Sequence, residues 1–190
     1  MNCRFQFGGQ KTWLIVGGLL CLLAASASAQ TSTGQLTITM TVQSSISLVF
    51  KNNPAVGTAG FCPLTNAGTN NVGLDLGTAQ FPGSTHSSTC VNYAHISGAV
   101  YEVSSAFDVV VTKANSSSAN YRLAAEISTP PPANVAWLIN NVTLSTTTFT
   151  TLDSRDNFGS AITKTLQVQV KNTVSAQVLQ ETITFLATAN

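Results

Sequence analysis

His86, Cys90 and His95 stand within ten residues of one another, and all three carry side chains that bind metals or move protons. The two histidines are the only ones in the chain. Their spacing around Cys90 matches no zinc arrangement of the Cys/His type. Of the four cysteines, Cys3 and Cys21 lie in an apolar leader, which leaves Cys62 and Cys90 as an even pair. The expectation is a Cys62–Cys90 disulfide formed in an oxidising compartment. A metal site built on Cys90, His86 and His95 is the competing reading.

Other chemistry finds less support. A serine hydrolase brings together a serine, a histidine and an acid. Serines are plentiful, but both histidines fall in or beside a polar loop, and no nucleophile-elbow motif occurs. Glycoside hydrolysis needs two facing carboxyls. The seven acids are scattered, and Glu102, Glu126 and Glu181 read as isolated, solvent-facing strand residues. Asp153, Asp156 and Asn157 offer oxygen ligands, yet without the dense acid spacing of a calcium loop, so a plain turn is expected there. Phosphate-binding glycine loops are missing. The formal net charge is only +1. No basic stripe exists to neutralise a nucleic-acid backbone. The expectation is a non-enzymatic protein with no catalytic residue, no metal and no cofactor.

The elements that would position these residues begin after the leader. Arg4 and Lys11 precede an apolar run from Trp13 to Leu23, and Ala27, Ser28 and Ala29 follow. This pattern predicts a secretory signal peptide over residues 1–29, with cleavage before Gln30. The run is short for a bilayer span. No later stretch is long and apolar enough to serve as one. The mature chain, residues 30–190, suits a single domain that is secreted, periplasmic or displayed at the cell surface.

Within it, polarity comes chiefly from Ser and Thr, and apolar residues alternate with them. Leu36, Ile38, Met40 and Val42 share one face, and Ile46, Leu48 and Phe50 continue the same phase. This is strand periodicity. A single strand over residues 36–50 would be unusually long, so a bend or sheet switch is expected near Ser44 and Ser45. Further alternation marks strands around Val72–Leu76, Phe107–Val111, Tyr121–Ile127, Val135–Ile139, Val142–Leu144, Leu166–Val170 and Ile183–Ala187. The segments over residues 107–127 and 166–187 read as two hairpins, and residues 153–159 as a turn. Eight or nine short strands without helical periodicity predict an all-β fold, an antiparallel β-sandwich of the immunoglobulin-like kind. Trp137 is expected in its core.

Three segments carry a family resemblance. The alternating residues 35–48 after the leader, the short Leu74-Asp75-Leu76-Gly77-Thr78, and the ending from Gln180 to Asn190 resemble spore-coat-U-like proteins and related chaperone–usher pilin-type domains. The resemblance implies an immunoglobulin-like sandwich, secreted and assembled into surface fibres by strand exchange. This chain departs from the pattern in two places. Ser44 and Ser45 stand where many relatives have a first disulfide cysteine, and Ala189 replaces a penultimate tyrosine.

Edge strands are commonly guarded by lysine, proline or inward charges. Residues 36–50 contain no charge at all. Leu36, Ile38, Met40 and Val42 are therefore the candidate strand-pairing segment. Pairing within the domain is the first expectation, and addition to a neighbouring sheet is the alternative. The functional expectation is a structural or adhesive surface protein that self-associates or joins a surface-assembly partner, with a pilin-like fibre subunit as its most specific form. The alternative is a carbohydrate- or ligand-binding sandwich presenting Tyr93, Tyr101, Tyr121 or Trp137.

Overall fold

The computed structural model describes residues 37–81 and 86–190. The signal peptide expected over residues 1–29, and Leu36, lie outside the described residues. The chain divides into two units, Met1–Thr41 and Val42–Asn190. In the first, residues 37–41 form no strand or helix, and Ile38 and Met40 are 81% and 80% exposed. The second unit is an all-β antiparallel sandwich. Among the described residues no helix is long and apolar enough to cross a membrane.

One long strand organises the larger sheet. Among the described residues eleven strands run in chain order: β1 (Ser45–Lys51), β2 (Leu64–Thr65), β3 (Gly73–Leu74), β4 (Asn92–Ser97), β5 (Val100–Ala114), β6 (Asn120–Ile127), β7 (Val135–Ile139), β8 (Val142–Thr143), β9 (Thr150–Asn157), β10 (Ala161–Lys171) and β11 (Ile183–Ala189). The 15-residue β5 pairs with β10 along one edge. Its other edge is shared end to end, by β4 against Val100–Ser104 and by β1 against Asp108–Ala114. β7 and β8 complete that sheet beyond β10, and a second sheet has the order β11-β6-β9. The short β2 and β3 pair only with each other.

The core lies between the sheets. Phe107, Val109 and Val111 of β5, Leu166, Val168 and Val170 of β10, and Trp137 and Ile139 of β7 face Tyr121, Leu123, Ala125 and Ile127 of β6. Period-two alternation sends these to one face and the residues between them, among them Asp108, Val110, Arg122, Glu126, Leu138, Gln167 and Gln169, to the other. Trp137 is 7% exposed, in the core as its sequence context predicts. Asn140 and Asn141 both have positive φ, at 50° and 66°. They form the two-residue turn that joins β7 to β8, a conformation that asparagine tolerates better than most residues.

Several expectations change. The strand anticipated over residues 36–50 begins only at Ser45, where the break was expected, and its first half joins no strand. The segment near Val72 shortens to Gly73–Leu74. The expected turn at residues 153–159 is mostly strand, since β9 runs to Asn157 and only Phe158 and Gly159 turn. Neither expected hairpin is one. β5 and β6 lie in different sheets, as do β10 and β11. The polar residues between them carry the chain across the sandwich, whose layers stand about 10 Å apart. Alternation puts an apolar face on each strand in either arrangement, so it does not distinguish a hairpin from a crossover.

Candidate functional site

The seam between β1 and β11 is the least finished part of the sandwich. Each is an edge strand of its own sheet: β1 pairs only with β5, and β11 only with β6. Both have seven residues. Along β1 the inward residues grade from Ile46, 37% exposed, through half-buried Leu48 to buried Phe50. On β11, Ile183, Phe185 and Ala187 touch the core but stay half-buried. Their cross-strand partners on β6, Ile127, Ala125 and Leu123, are 2%, 0% and 0% exposed. The core is therefore covered under β6 and left partly open along β11.

Between the two edges runs a groove of about 770 Å³, lined by residues 46–50, 68–71 and 182–185. Three phenylalanines join the sheets beneath it, and two of them, Phe50 and Phe185, line it. Phe50 meets Phe185 at 5.1 Å between ring centroids and Phe107 at 5.9 Å, while Phe107 lies 6.1 Å from Phe185. All three pairs are edge-to-face, the arrangement that the ring quadrupole favours. One end is closed by the loop before Asn71: Phe50 N donates to Thr69 O at 2.8 Å, and Gly68 N to Phe50 O at 2.6 Å. No lining residue is charged. A carboxylate sits just outside, where Glu181 accepts bonds from Ser128 and Thr129, through both their backbone N–H and hydroxyl groups, and from Thr182 N. Desolvation raises the pKa of this carboxyl, but the bonds from Thr129, Ser128 and Thr182 outweigh it and hold the value below the ordinary one.

The candidate strand-pairing residues lie before β1. Ile38, Met40 and Val42 are exposed, Val42 at 59%, and Leu36 is outside the described residues. Gln43 O accepts a bond from Asn115 Nδ2 at 3.2 Å, just beyond the Ser45–Ala114 end of the ladder.

Cys62 and Cys90 form a disulfide across 28 residues. It packs in a small second cluster with Val91 and Val103, bordered by Phe81 and Tyr93. Cys62 N donates to the buried Ser105 Oγ at 2.8 Å, which ties the long loop to β5. The disulfide occupies the Cys90 sulfur that the metal alternative required. Among the described residues no group of three or more His, Cys, Asp or Glu could hold a metal ion.

The two histidines stand at opposite ends of a row of rings. His95 stacks on Tyr101 at 4.8 Å, Tyr101 lies 5.4 Å from Phe81, Phe81 stacks on Tyr93 at 5.6 Å, and Tyr93 on His86 at 6.0 Å. His86 Nδ1 is 2.5 Å from the Ser88 carbonyl, and His95 Nε2 is 2.8 Å from that of Gly98. Their bonds go to backbone oxygens. The four aromatic candidates separate: Tyr121 and Trp137 are buried, while Tyr93 and Tyr101 remain half-buried. Glu102 departs from its solvent-facing expectation. It is 8% exposed and accepts bonds from Gln167 Nε2 and Gln169 Nε2.

Sequence reasoning named a candidate strand-pairing segment but gave no sign of the groove. The residues that form it, Phe50 and Phe185, lie 135 positions apart, and only the fold brings them together. Comparison with known proteins finds no matching family model, no matching curated sequence and no matching solved structure.

Proposed function

We propose that this chain is a secreted, non-enzymatic structural protein of the cell surface, which assembles by strand addition. In this reading residues 36–42 of one copy lie in the β1/β11 groove of the next. The observation that carries it is the presence of two incomplete features, an uncharged open seam and an uncharged alternating segment of matching length that is exposed from residue 37 onward.

The fit is physical. The segment has seven residues, as β1 and β11 do. As a strand it would span about 23 Å. Its backbone would satisfy the outward N–H and C=O groups of an edge strand. Its apolar face would cover Leu48, Ile183 and Phe185, and each apolar side chain newly buried contributes about 1.5–3 kcal/mol before ordering costs. A second copy is a better donor than the chain itself. To lie beside its own β1 the segment must reverse just before Ser45. Residues 37–51 contain no Gly, Asn, Asp or Pro, and Ser44 and Ser45, weaker turn formers, are what the chain offers at that point.

An immunoglobulin-like pilin subunit is the specific form of this reading, supported by the three resembling segments. Export through the leader and an oxidising compartment for Cys62–Cys90 belong to the same proposal. Light scattering of the mature protein over a rising concentration range tests it. Growth into dimers or longer species is expected, and it should be lost in an Ile38→Asp/Met40→Asp variant. A mature protein that stays monomeric at high concentration sinks the reading.

A further inference from the structure

A lysine occupies a core position on β10. The inward phase of that strand runs Ile162, Lys164, Leu166, Val168 and Val170, and Lys164 is 1% exposed. A buried ammonium is costly unless it is closely paired. Its partner comes from the other sheet: Lys164 Nζ is in direct contact with Asp153 Oδ2 of β9.

A bulge makes this meeting possible and adds a second carboxyl. On β6, Tyr121 and Leu123 are two residues apart. Their partners on β9, Asp156 and Asp153, are three apart. The extra residue keeps both aspartates on the face of Tyr121 and Leu123, toward the core, where regular alternation would send one of them to solvent. The ring of Phe158 packs 5.2 Å from Tyr121 and covers this end of the cluster. Tyr121 Oη and Asp156 Oδ2 are buried with no protein partner among the described residues. Burial, then the charge of Asp153, raises the pKa of Asp156, so its carboxyl keeps a proton to higher pH than an ordinary aspartate.

We propose that Lys164 and Asp153 condense into an intramolecular amide that joins the two sheets, with Asp156 relaying the protons. The bond formed is Nζ–Cγ, and the bond broken is that between Cγ of Asp153 and one of its oxygens. The lysine ammonium gives up two protons, which leave with that oxygen as one water molecule. Asp156 accepts a proton from the nitrogen and passes it to the departing oxygen. The step neutralises the buried ammonium and its part-exposed carboxylate partner, and uses no oxidant, cofactor or second substrate. Contact, burial of the amine and a neighbouring acid favour condensation of a carboxyl and an amine, because they replace a bimolecular encounter with a fixed geometry.

The inference does not depend on strand addition and can be tested separately. The mature protein is measured by intact mass spectrometry, then reduced and digested with trypsin. The expected product is lighter than its sequence by one water, beyond the two hydrogens lost to the Cys62–Cys90 disulfide. It should yield a branched peptide joining residues 123–155 to residues 156–171, with no cleavage after Lys164. Asp156→Ala keeps both reacting groups and should show the unmodified mass. An unmodified native mass, with cleavage after Lys164, overturns the amide. Loss of water in Asp156→Ala overturns the relay role of Asp156.

Discussion

Phe50 and Phe185 meet edge-to-face at 5.1 Å, the closest approach among the three phenylalanines beneath the groove, and they belong to the two strands left unpaired at the seam. This contact holds the edges of two different sheets at a fixed separation. It also makes the seam sensitive to substitution. Phe185→Ala should cost about 2–4 kcal/mol of folding stability, toward the lower end for a core aromatic because Phe185 is half-buried. Urea unfolding of the mature protein measures it. A loss within error of zero would mean that β11 is not anchored through this ring.

Ile38 and Met40 make the opposite prediction. Both side chains are exposed, so Ile38→Asp or Met40→Asp should change the unfolding free energy by no more than about 0.5 kcal/mol. Self-association should nevertheless fall by at least about tenfold, since a charge placed on the inserted face must be buried without a partner. Thermal unfolding alongside light scattering separates the two effects. Equal loss of stability and assembly would assign these residues to the fold instead.

The disulfide restrains a loop with few apolar residues of its own. Replacing Cys62 and Cys90 together by Ala should cost about 3–4 kcal/mol on the loop-entropy estimate. The damage should centre on the small cluster with Val91 and Val103, while the main core keeps its protection in amide exchange. Uniform loss of protection across β6 and β10 would contradict this division.

Glu181 supplies an acid-sensitive term. Its folded pKa is lowered, so its contribution is fully present above the ordinary carboxylate range and fades as pH falls through the depressed value. Glu181→Gln should cost about 0.5–1 kcal/mol at neutral pH, a small figure because the site is exposed. The variant should also lose stability less steeply in acid. Urea midpoints at several pH values test the sign, and parallel curves would refute it.

Tyr121 acts at the other end of the scale. Burial first, then the charges of Asp156 and Asp153, push its pKa from the ordinary 10.0 to about 12. The neutral phenol is favoured in the folded state, so stability is intact below 10.0 and is lost as pH rises toward about 12. Tyr121→Phe removes a buried hydroxyl without a protein partner and should leave neutral stability unchanged or raise it by up to about 1 kcal/mol. It should also flatten the alkaline loss. Tyrosinate absorbance during alkaline titration reads the shift directly.

Much of this protein was legible before folding. Alternation at Phe107, Val109 and Val111, at Leu123, Ala125 and Ile127, and at Leu166, Val168 and Val170 established an all-β chain with one buried face per strand. With Cys3 and Cys21 assigned to an expected leader, Cys62 and Cys90 were the one pair left, and they form the disulfide. Lys164 was also visible in principle, since it falls in the apolar phase between Ile162 and Leu166, but a single lysine in that phase does not say what it meets.

Other features depended on long-range contacts. Period-two alternation defines which way a side chain points, not which strand lies beside it. The crossovers from β5 to β6 and from β10 to β11 therefore looked like hairpins. The strand character of residues 153–157 was hidden because the bulge opposite Tyr121 and Leu123 breaks the alternation and places Asp153 and Asp156 on one face. The segment around Ile38 and Met40 had the pattern of a strand, yet a strand exists only where another backbone accepts its hydrogen bonds. Composition and periodicity determined the sandwich, its core residues and its disulfide. The tertiary structure alone decided which edges stayed open, because the seam between Phe50 and Phe185 depends on strands separated by most of the chain.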